Sequence, residues 1–374
     1  MKKNLLTVAV TGALLSGAMG AASAADVNVY GIVDTGLVYE RLTGTMHEQT
    51  NTFSMESGVN SGSRFGLRGS EDLGNGFAVS FRLENGFGSD DGTLKQSDND
   101  TTRLFGREAR VTLETPYGSV SFGRMGALTS GCGTFDIFQA EADVMDGGYA
   151  NHIGTQVWFE RDRYDNLVTL ESPVFAGVKL YAQYSFATDG QEQAGNERKQ
   201  DRYAALGATW TVGDLSLVGV VDSVLYEHDA EDYIIKRRDA VAVSVGANYA
   251  LDPVTVFAGA QWGRFNKSSH IGIVDASDDS FMIVDGWNFA AGARFDLPCG
   301  SLETSVFYDD LKGSYSPVMK LEKWGVGVMH SYPLSKRTVV YTGVGYQQHR
   351  FENTPAYVYR MKAIDATVGL KHSF

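Results

Sequence analysis

The chain is poor in the features that mark several common architectures. Two cysteines among 374 residues exclude a disulfide-built scaffold. Seven prolines, 11% aromatics and a charged fraction of only 21% exclude a disordered chain. Basic residues number 32 against 45 acidic ones, so there is no cationic excess to neutralise phosphates, and nucleic acid is excluded as a partner. Past residue 24 no apolar run is long enough for a membrane-spanning helix. The seven histidines show no metal-ligand spacing, and neither a phosphate-binding glycine loop nor a nucleophile elbow is present. Acid pairs such as Glu160 and Asp162 stand without a supporting acid–base context. No metal, no cofactor and no enzymatic site is therefore expected.

What is present begins with an address. Lys2 and Lys3 precede an apolar stretch from Leu5 to Met19, and Ala22-Ser23-Ala24 is a small-x-small cleavage site. Residues 1–24 thus read as a secretory signal peptide rather than an anchor, since no charged stop follows. Its removal takes away two lysines, so the formal charge moves from −13 to −13 − 2 = −15.

From residue 25 onward the pattern is a two-residue alternation. Phe77, Val79, Phe81 and Leu83 alternate with Ala78, Ser80, Arg82 and Glu84. Val241, Val243 and Val245 do so with Ala242, Ser244 and Gly246, and Ile364, Val368 and Leu370 with Asp365, Thr367 and Lys371. Sixteen such strands are expected, at about 27–40, 58–71, 76–88, 103–116, 118–125, 157–171, 177–188, 201–212, 214–227, 237–251, 254–265, 284–296, 301–312, 321–333, 337–350 and 360–374. Tight turns such as 71–76, 116–118 and 251–253 alternate with long polar loops at 41–57, 89–102, 126–156, 189–200, 228–236, 266–283, 313–320 and 351–359. Short turns on one side and long loops on the other are expected of an all-β transmembrane antiparallel β-barrel of the outer membrane, with the loops external and the turns periplasmic. Closure follows from chemistry, because an open sheet edge in hydrocarbon would leave backbone groups unpaired. Glycines within strands, such as Gly246, Gly259, Gly292 and Gly327, are assigned only relief of crowding and curvature. Tyr30, Tyr39, Tyr181, Tyr184, Tyr249, Tyr308, Tyr332, Tyr341 and Phe374 lie near strand ends and are expected in the interfacial aromatic bands.

The strands also carry recognisable strings: VNVYGIVDTGL (27–37), SRFGLRGSEDLGNGFAVSFRLENGF (63–87), YGSVSFGR (117–124), YDNLVTLESPVFAGV (164–178), YPLSKRTVVY (332–341) and the terminal VGLKHSF (368–374). Their order and spacing resemble the general porins of Gram-negative bacteria, of the type found in Neisseria, Bordetella and Burkholderia relatives. The resemblance implies a homotrimer of sixteen-stranded barrels in the outer membrane, each with a water-filled pore for small hydrophilic solutes and ions, among outer-membrane lipids and lipopolysaccharide. It implies that the third loop folds into the lumen as a constriction, and that Phe374 is the terminal aromatic read during barrel assembly.

Within that frame the third loop, 126–156, carries Asp136, Glu141, Asp143 and Asp146 and no lysine or arginine. Its apolar Phe135, Ile137 and Phe138 suit packing against an inner wall while the acids face the channel. Alternation points Arg64, Arg68, Arg82 and Arg110 into the lumen opposite. Arg107 and Arg124 match the family's pore-wall positions, but their parity places them outward, so a strand irregularity is required to turn them; Arg161 and Arg163 are candidates to join the cluster. Acids facing arginines would set a transverse field across a narrow water column. The charge of −15 and the acidic loops lean the expected ion preference slightly towards cations. Cys132 and Cys299 fall in the third loop and in a periplasmic turn, too far apart for a bridge. A substrate-specific porin, or a surface adhesin or receptor barrel, is the alternative to a general diffusion channel.

Overall fold

The computed structural model describes residues 26–45, 49–96, 102–145, 153–155, 157–159, 161–190, 200–227, 238–268, 282–316, 318–354 and 357–374. The signal peptide read at 1–24 lies outside them. One antiparallel sheet dominates: β1 (Asp26–Gly44), β2 (Thr50–Ser57), β3 (Arg64–Gly74), β4 (Phe77–Phe87), β5 (Leu94–Lys95), β6 (Glu108–Thr115), β7 (Gly118–Gly126), β8 (Arg163–Glu171) and β9 (Val178–Ser185). It continues through β10 (Arg202–Val212), β11 (Leu215–Leu225), β12 (Ala240–Ala250), β13 (Val254–Ser268), β14 (Met282–Leu297), β15 (Gly300–Gly313), β16 (Lys320–Pro333), β17 (Thr338–Thr354) and β18 (Tyr357–Ser373). The described helix is α1 (Phe138–Ala142), inside the third loop.

Sixteen staves make the wall. β2 and β3 both pair with β1, β2 along Thr35–Leu42 and β3 along Asp26–Ile32, so they are two halves of one stave interrupted at residues 58–63. β5 is a two-residue ribbon beside the end of β4 and adds no stave. The wall closes where β1 pairs with β18, from Ile32↔Ser373 to Gly44↔Met361. Among the described strands of the wall no sheet edge is left for lipid to meet.

The alternation has its physical cause in this closure. On β12, Val245 is 53% exposed on the outer face and Ser244 is fully buried on the inner one. Outward Leu170, Leu180, Leu206, Val306 and Val344 form the apolar surface. Of the aromatics expected in interfacial bands, Tyr39, Tyr249, Tyr308, Tyr332 and Phe374 are exposed, with Tyr184 on the same face as exposed Leu180. Tyr30, Tyr181 and Tyr341 correct that expectation: they share the inward parity, and each is occupied by polar or charged neighbours inside the barrel.

Strand ends depart from the sequence reading in both directions. Parts of the expected first and last loops are strand: β1 runs to Gly44, β2 starts at Thr50, and β17 and β18 extend to Thr354 and from Tyr357. On β2 the exposed Phe53 and Met55 alternate with Thr52, Ser54 and Glu56, and the threonine and tyrosine of these segments favour strands, but their polar composition resembles that of a loop. Conversely, residues 103–107, 157–159 and 161–162 are loop rather than strand; Trp158 and Phe159 pack inside the barrel and their alternation does not mark a wall. The third loop therefore runs from Ala127 to Asp162.

The buried apolar core sits inside the barrel. Leu128, Phe135, Ile137, Phe138, Ala142, Val157 and Trp158 of the third loop pack on Met125, Leu167, Tyr203, Val218 and Val220 of the wall. Phe138 and Trp158 meet edge to face at 4.9 Å, joining the outgoing and returning limbs.

Candidate functional site

The third loop is seated on a bed of inward-facing glycines. A methyl group at Gly246 would fall 2.4 Å from Cβ of Ala142, and one at Gly327 would fall 2.0 Å from the carbonyl oxygen of Ile153. Gly207, Gly259 and Gly292 similarly receive Ile137, Trp158 and Val144. Strand glycine thus lets loop backbone and wall backbone approach closely, a role beyond the relief of crowding assigned from sequence. Hydrogen bonds complete the seat. The amide of Leu128 donates to Oε1 of Gln183 (3.0 Å), the amide of Phe159 donates to Oε1 of Gln261 (2.7 Å), and Thr155 and Ser305 share a hydroxyl contact of 2.8 Å.

Asp222 on β11 holds both limbs at once. It accepts from Thr129 Oγ1 (3.1 Å) on the outgoing limb and from Arg161 Nε (2.7 Å) on the returning limb. Arg161 also donates to Oδ1 of Asn266 (2.8 Å). Burial works against the Arg161 charge, yet adjacent Asp222 holds its pKa above the ordinary value. Arg161 thus belongs to the seat of the loop and does not join the arginine cluster.

The facing wall carries the arginines. Arg64, at the start of β3, donates to the carbonyl of Gly62 (2.8 Å) and to Ser61 (2.8 Å). Arg82 donates to the hydroxyl of Tyr30 (2.6 Å), which in turn donates to Glu84 (2.9 Å). Arg68 and Arg82 each lie 5.1 Å from the centre of the Tyr30 ring. Arg82 also donates to Thr134 of the loop (2.7 Å), Thr134 donates to Glu108 (3.0 Å), and Arg110 donates to Glu108 (2.5 Å) while lying 5.3 Å over Phe135. Arg107 precedes β6, so strand parity does not bind it; it turns inward to pair with Glu84 at 2.8 Å. Burial, together with the neighbouring Arg163 guanidinium, lowers the Arg107 pKa.

Between this wall and the loop lies a cavity of about 870 Å³ that reaches the periplasmic turns. Arg64, Arg107, Arg163, Cys132 and Asp136 line its loop end, and Arg294, Asp296, Glu303 and Lys371 line the other. Arg294 is paired with Asp296 (3.2 Å) and Glu303 (3.5 Å). At the level of the loop, therefore, three guanidinium groups line the cavity with one carboxylate, Asp136.

The remaining expected site residues are placed elsewhere. Arg124 keeps its outward parity beside exposed Phe122; the bulge opposite it leaves it in a cluster with Asp165 (2.6 Å) and Arg103, away from the cavity. Glu141 accepts from Asn248 of β12 (2.5 Å) and is tied to the wall. Asp143, expected to face the channel, is instead 3% exposed and accepts from the amide of Met145 (2.9 Å) and from Trp158 (3.3 Å). Burial pushes its pKa up to about 6. Asp146 lies outside the described residues. Cys132 and Cys299 are free thiols, and burial pushes the Cys132 thiol up.

Sequence reasoning missed a second inward segment. Residues 58–63, between β2 and β3, fold against Asp34, whose carboxylate accepts from the amide of Ser61 (2.8 Å) and from Tyr341 (2.6 Å). Val59 then joins Met145 and Ile153 in one buried cluster, so this segment meets the far end of the third loop. The signal was Asp34, an acid on the inward parity of β1.

The match to known proteins runs over most of the barrel. A model described as Gram-negative porin matches residues 6–352. The chain belongs to this family of porins. An outer membrane porin of Bordetella pertussis is 28% identical over 406 aligned positions, covering 100% of both chains. Outer membrane porin protein 32 of Delftia acidovorans is 28% identical, covering 95% of this chain and 92% of the relative. Among solved structures, the anion-selective porin from Comamonas acidovorans superposes with a TM-score of 0.65 at 21% identity, covering 94% of this chain and 100% of that one. This porin is accordingly a multi-pass protein of the Gram-negative outer membrane that forms a water-filled channel for passive diffusion of small hydrophilic solutes and ions.

Proposed function

We propose that the narrow part of this porin's channel lies between the third loop and the wall of β3, β4 and β6, and that it favours small anions over cations. The observation that carries this reading is which groups face the cavity at the loop: Arg64, Arg107 and Arg163 line it with Asp136, while Glu84, paired with Arg107 (2.8 Å) and Arg64 (4.0 Å), and Asp162, 3.5 Å from Arg163, stand outside the lining. A permeating anion there replaces lost hydration with guanidinium donors, whereas a cation meets like charge in a low-dielectric wall. The channel's net negative charge and acidic outer loops act farther away and are screened within about 10 Å at ordinary ionic strength. The local cluster therefore outweighs them, against the cationic leaning drawn from composition. Reversal potential in a potassium chloride gradient tests it. The expected sign is that of chloride preference, and Arg64→Ser with Arg107→Ser should move it towards potassium. An unchanged reversal potential in that double variant would reject the assignment.

In the same reading the barrels assemble as homotrimers, as the family resemblance implies, and their exposed apolar band is covered by outer-membrane lipids, lipopolysaccharide among them. Conductance steps in groups of three check the trimer. Residues 1–24 act as a cleaved export signal, Phe374 as the assembly signal, and the channel works without catalysis.

A further inference from the structure

The third loop brings a thiol to the arginine-lined end of the cavity. Cys132 lines it together with Arg64, Arg107 and Arg163. Its chain neighbours are Gly131 and Gly133, with φ of 63° and 83°, so neither carries a side chain that could cover the sulfur. The backbone at this point is pinned. The carbonyl of Cys132 accepts from Ser130 Oγ (2.8 Å) and lies so near β7 that a methyl at Gly126 would fall 2.1 Å from it. A second observation points to a ligand here. Arg163 is only 8% exposed, yet its Nε has no hydrogen-bond partner among the described residues. Its ion pair is with Asp162, at 3.5 Å, and that carboxylate is itself 65% exposed. A buried guanidinium donor costs free energy until an acceptor reaches it. Burial raises the pKa of the Cys132 thiol and the Arg163 charge lowers it, with Asp162 and Asp136 opposing Arg163. Arg107 is also close enough to feel the charge of the sulfur.

We propose that Cys132 is a covalent regulatory site of the channel, which takes up a small anionic disulfide drawn in by Arg64, Arg107 and Arg163. The thiolate of Cys132 attacks one sulfur of the incoming disulfide. The S–S bond of that molecule breaks and a new one forms to Sγ. The other half leaves as a thiolate and takes up the proton that Cys132 gave away. One disulfide is exchanged for another, so no further oxidant is required, and the channel joins compartments in which disulfides persist. Reactive cysteines sit in electropositive, partly exposed surroundings, and the cavity supplies both. The adduct fills the space beside the loop, and its carboxylates neutralise the guanidinium groups. Conductance and chloride preference should therefore fall together. The inference rests on the reading that this cavity is the anion route, and it adds a control on that route.

The test uses the full chain in planar bilayers with oxidised glutathione as probe. Peptide mass mapping separates an adduct on Cys132 from one on Cys299. Oxidised glutathione should add one glutathionyl group to Cys132 and lower the conductance, and dithiothreitol should reverse both effects. Two methanethiosulfonates of similar size, the anionic sulfonatoethyl and the cationic trimethylammonioethyl reagents, report the field at the thiol. With each rate divided by that of the same reagent on free mercaptoethanol, the anionic one should react about tenfold faster at Cys132. In Arg163→Gln that preference should shrink. An unlabelled Cys132, an adduct that leaves conductance unchanged, a cationic reagent as fast as the anionic one, or an unchanged preference in Arg163→Gln would each overturn the proposal. Reversal potential of the unmodified channel keeps the two readings apart. Chloride preference alongside any of those results overturns the covalent site alone, whereas potassium preference overturns the anion route and the proposal built on it.

Discussion

The most consequential single contact is the one between Arg161 and Asp222. Both residues are almost fully buried, at 5% and 1% exposure, and the carboxylate holds the two limbs of the third loop to one point of β11. Removing only the cation leaves a buried carboxylate uncompensated, which costs roughly 3–5 kcal/mol. The wall's own hydrogen-bond ladder does not depend on this pair, so the loss should be local to the loop. Arg161→Met is expected to give a noisy, flickering conductance and faster hydrogen exchange across residues 127–145, whereas Arg161→Met with Asp222→Leu should return towards a quiet channel. Wild-type noise in the single variant would show that the pair does not hold the loop. The same scale explains why Asp143 misleads in the sequence. Composition supplied its acid, but only the fold reveals that Trp158, fifteen residues away, returns to cover it. Arg107 misleads for the opposite reason: parity was applied to a residue that stands one position before its strand.

Among the elements, those that face lipid were legible and those that face other protein were not. Alternation on β4, β12 and β18 could be read because one face meets hydrocarbon and the other meets the lumen, which leaves a period of two in the sequence. The interruption at 58–63 carries no such period, since its burial depends on Asp34 and on Tyr341, which lies 307 positions from Asp34 in the chain. The glycine bed lay in plain sight but could not be told from ordinary strand glycine until the loop was placed over it. That placement makes a prediction about α1. Gly246→Ala puts a methyl 2.4 Å from Cβ of Ala142, so wall and helix must separate and the helix must move towards the lumen. Single-channel conductance should fall, because the space beside the loop narrows. Adding Ala142→Gly removes the opposing methyl and should restore most of it; a fall that persists in the double variant would mean that the wall, not the loop, has been disturbed.

For the molecule as a whole, everything depends on closing the wall, and the closure runs through its last residue. The amide of Phe374 donates to the carbonyl of Gly31 (3.0 Å), and that of Gly31 donates back to Phe374 (3.1 Å). The ring of Phe374 lies over Gly31, where an added methyl would sit 2.3 Å from Cζ. Aromatic and glycine therefore meet across the seam, and the ring covers backbone that would otherwise face lipid. The assembly role proposed for Phe374 can be separated from its contact in the finished barrel. Phe374→Ala keeps the two backbone bonds and loses the ring; deletion of Phe374 loses both. In detergent refolding, where no assembly machinery is present, the alanine variant should unfold at a lower temperature than the wild type and the deletion at a lower one still, followed by heat-dependent migration in SDS gels. In cells both variants should be depleted from the outer membrane, more severely than their refolded stability accounts for. Equal melting of all three proteins would show that the ring over Gly31 adds nothing to the seam and that Phe374 acts only as a signal.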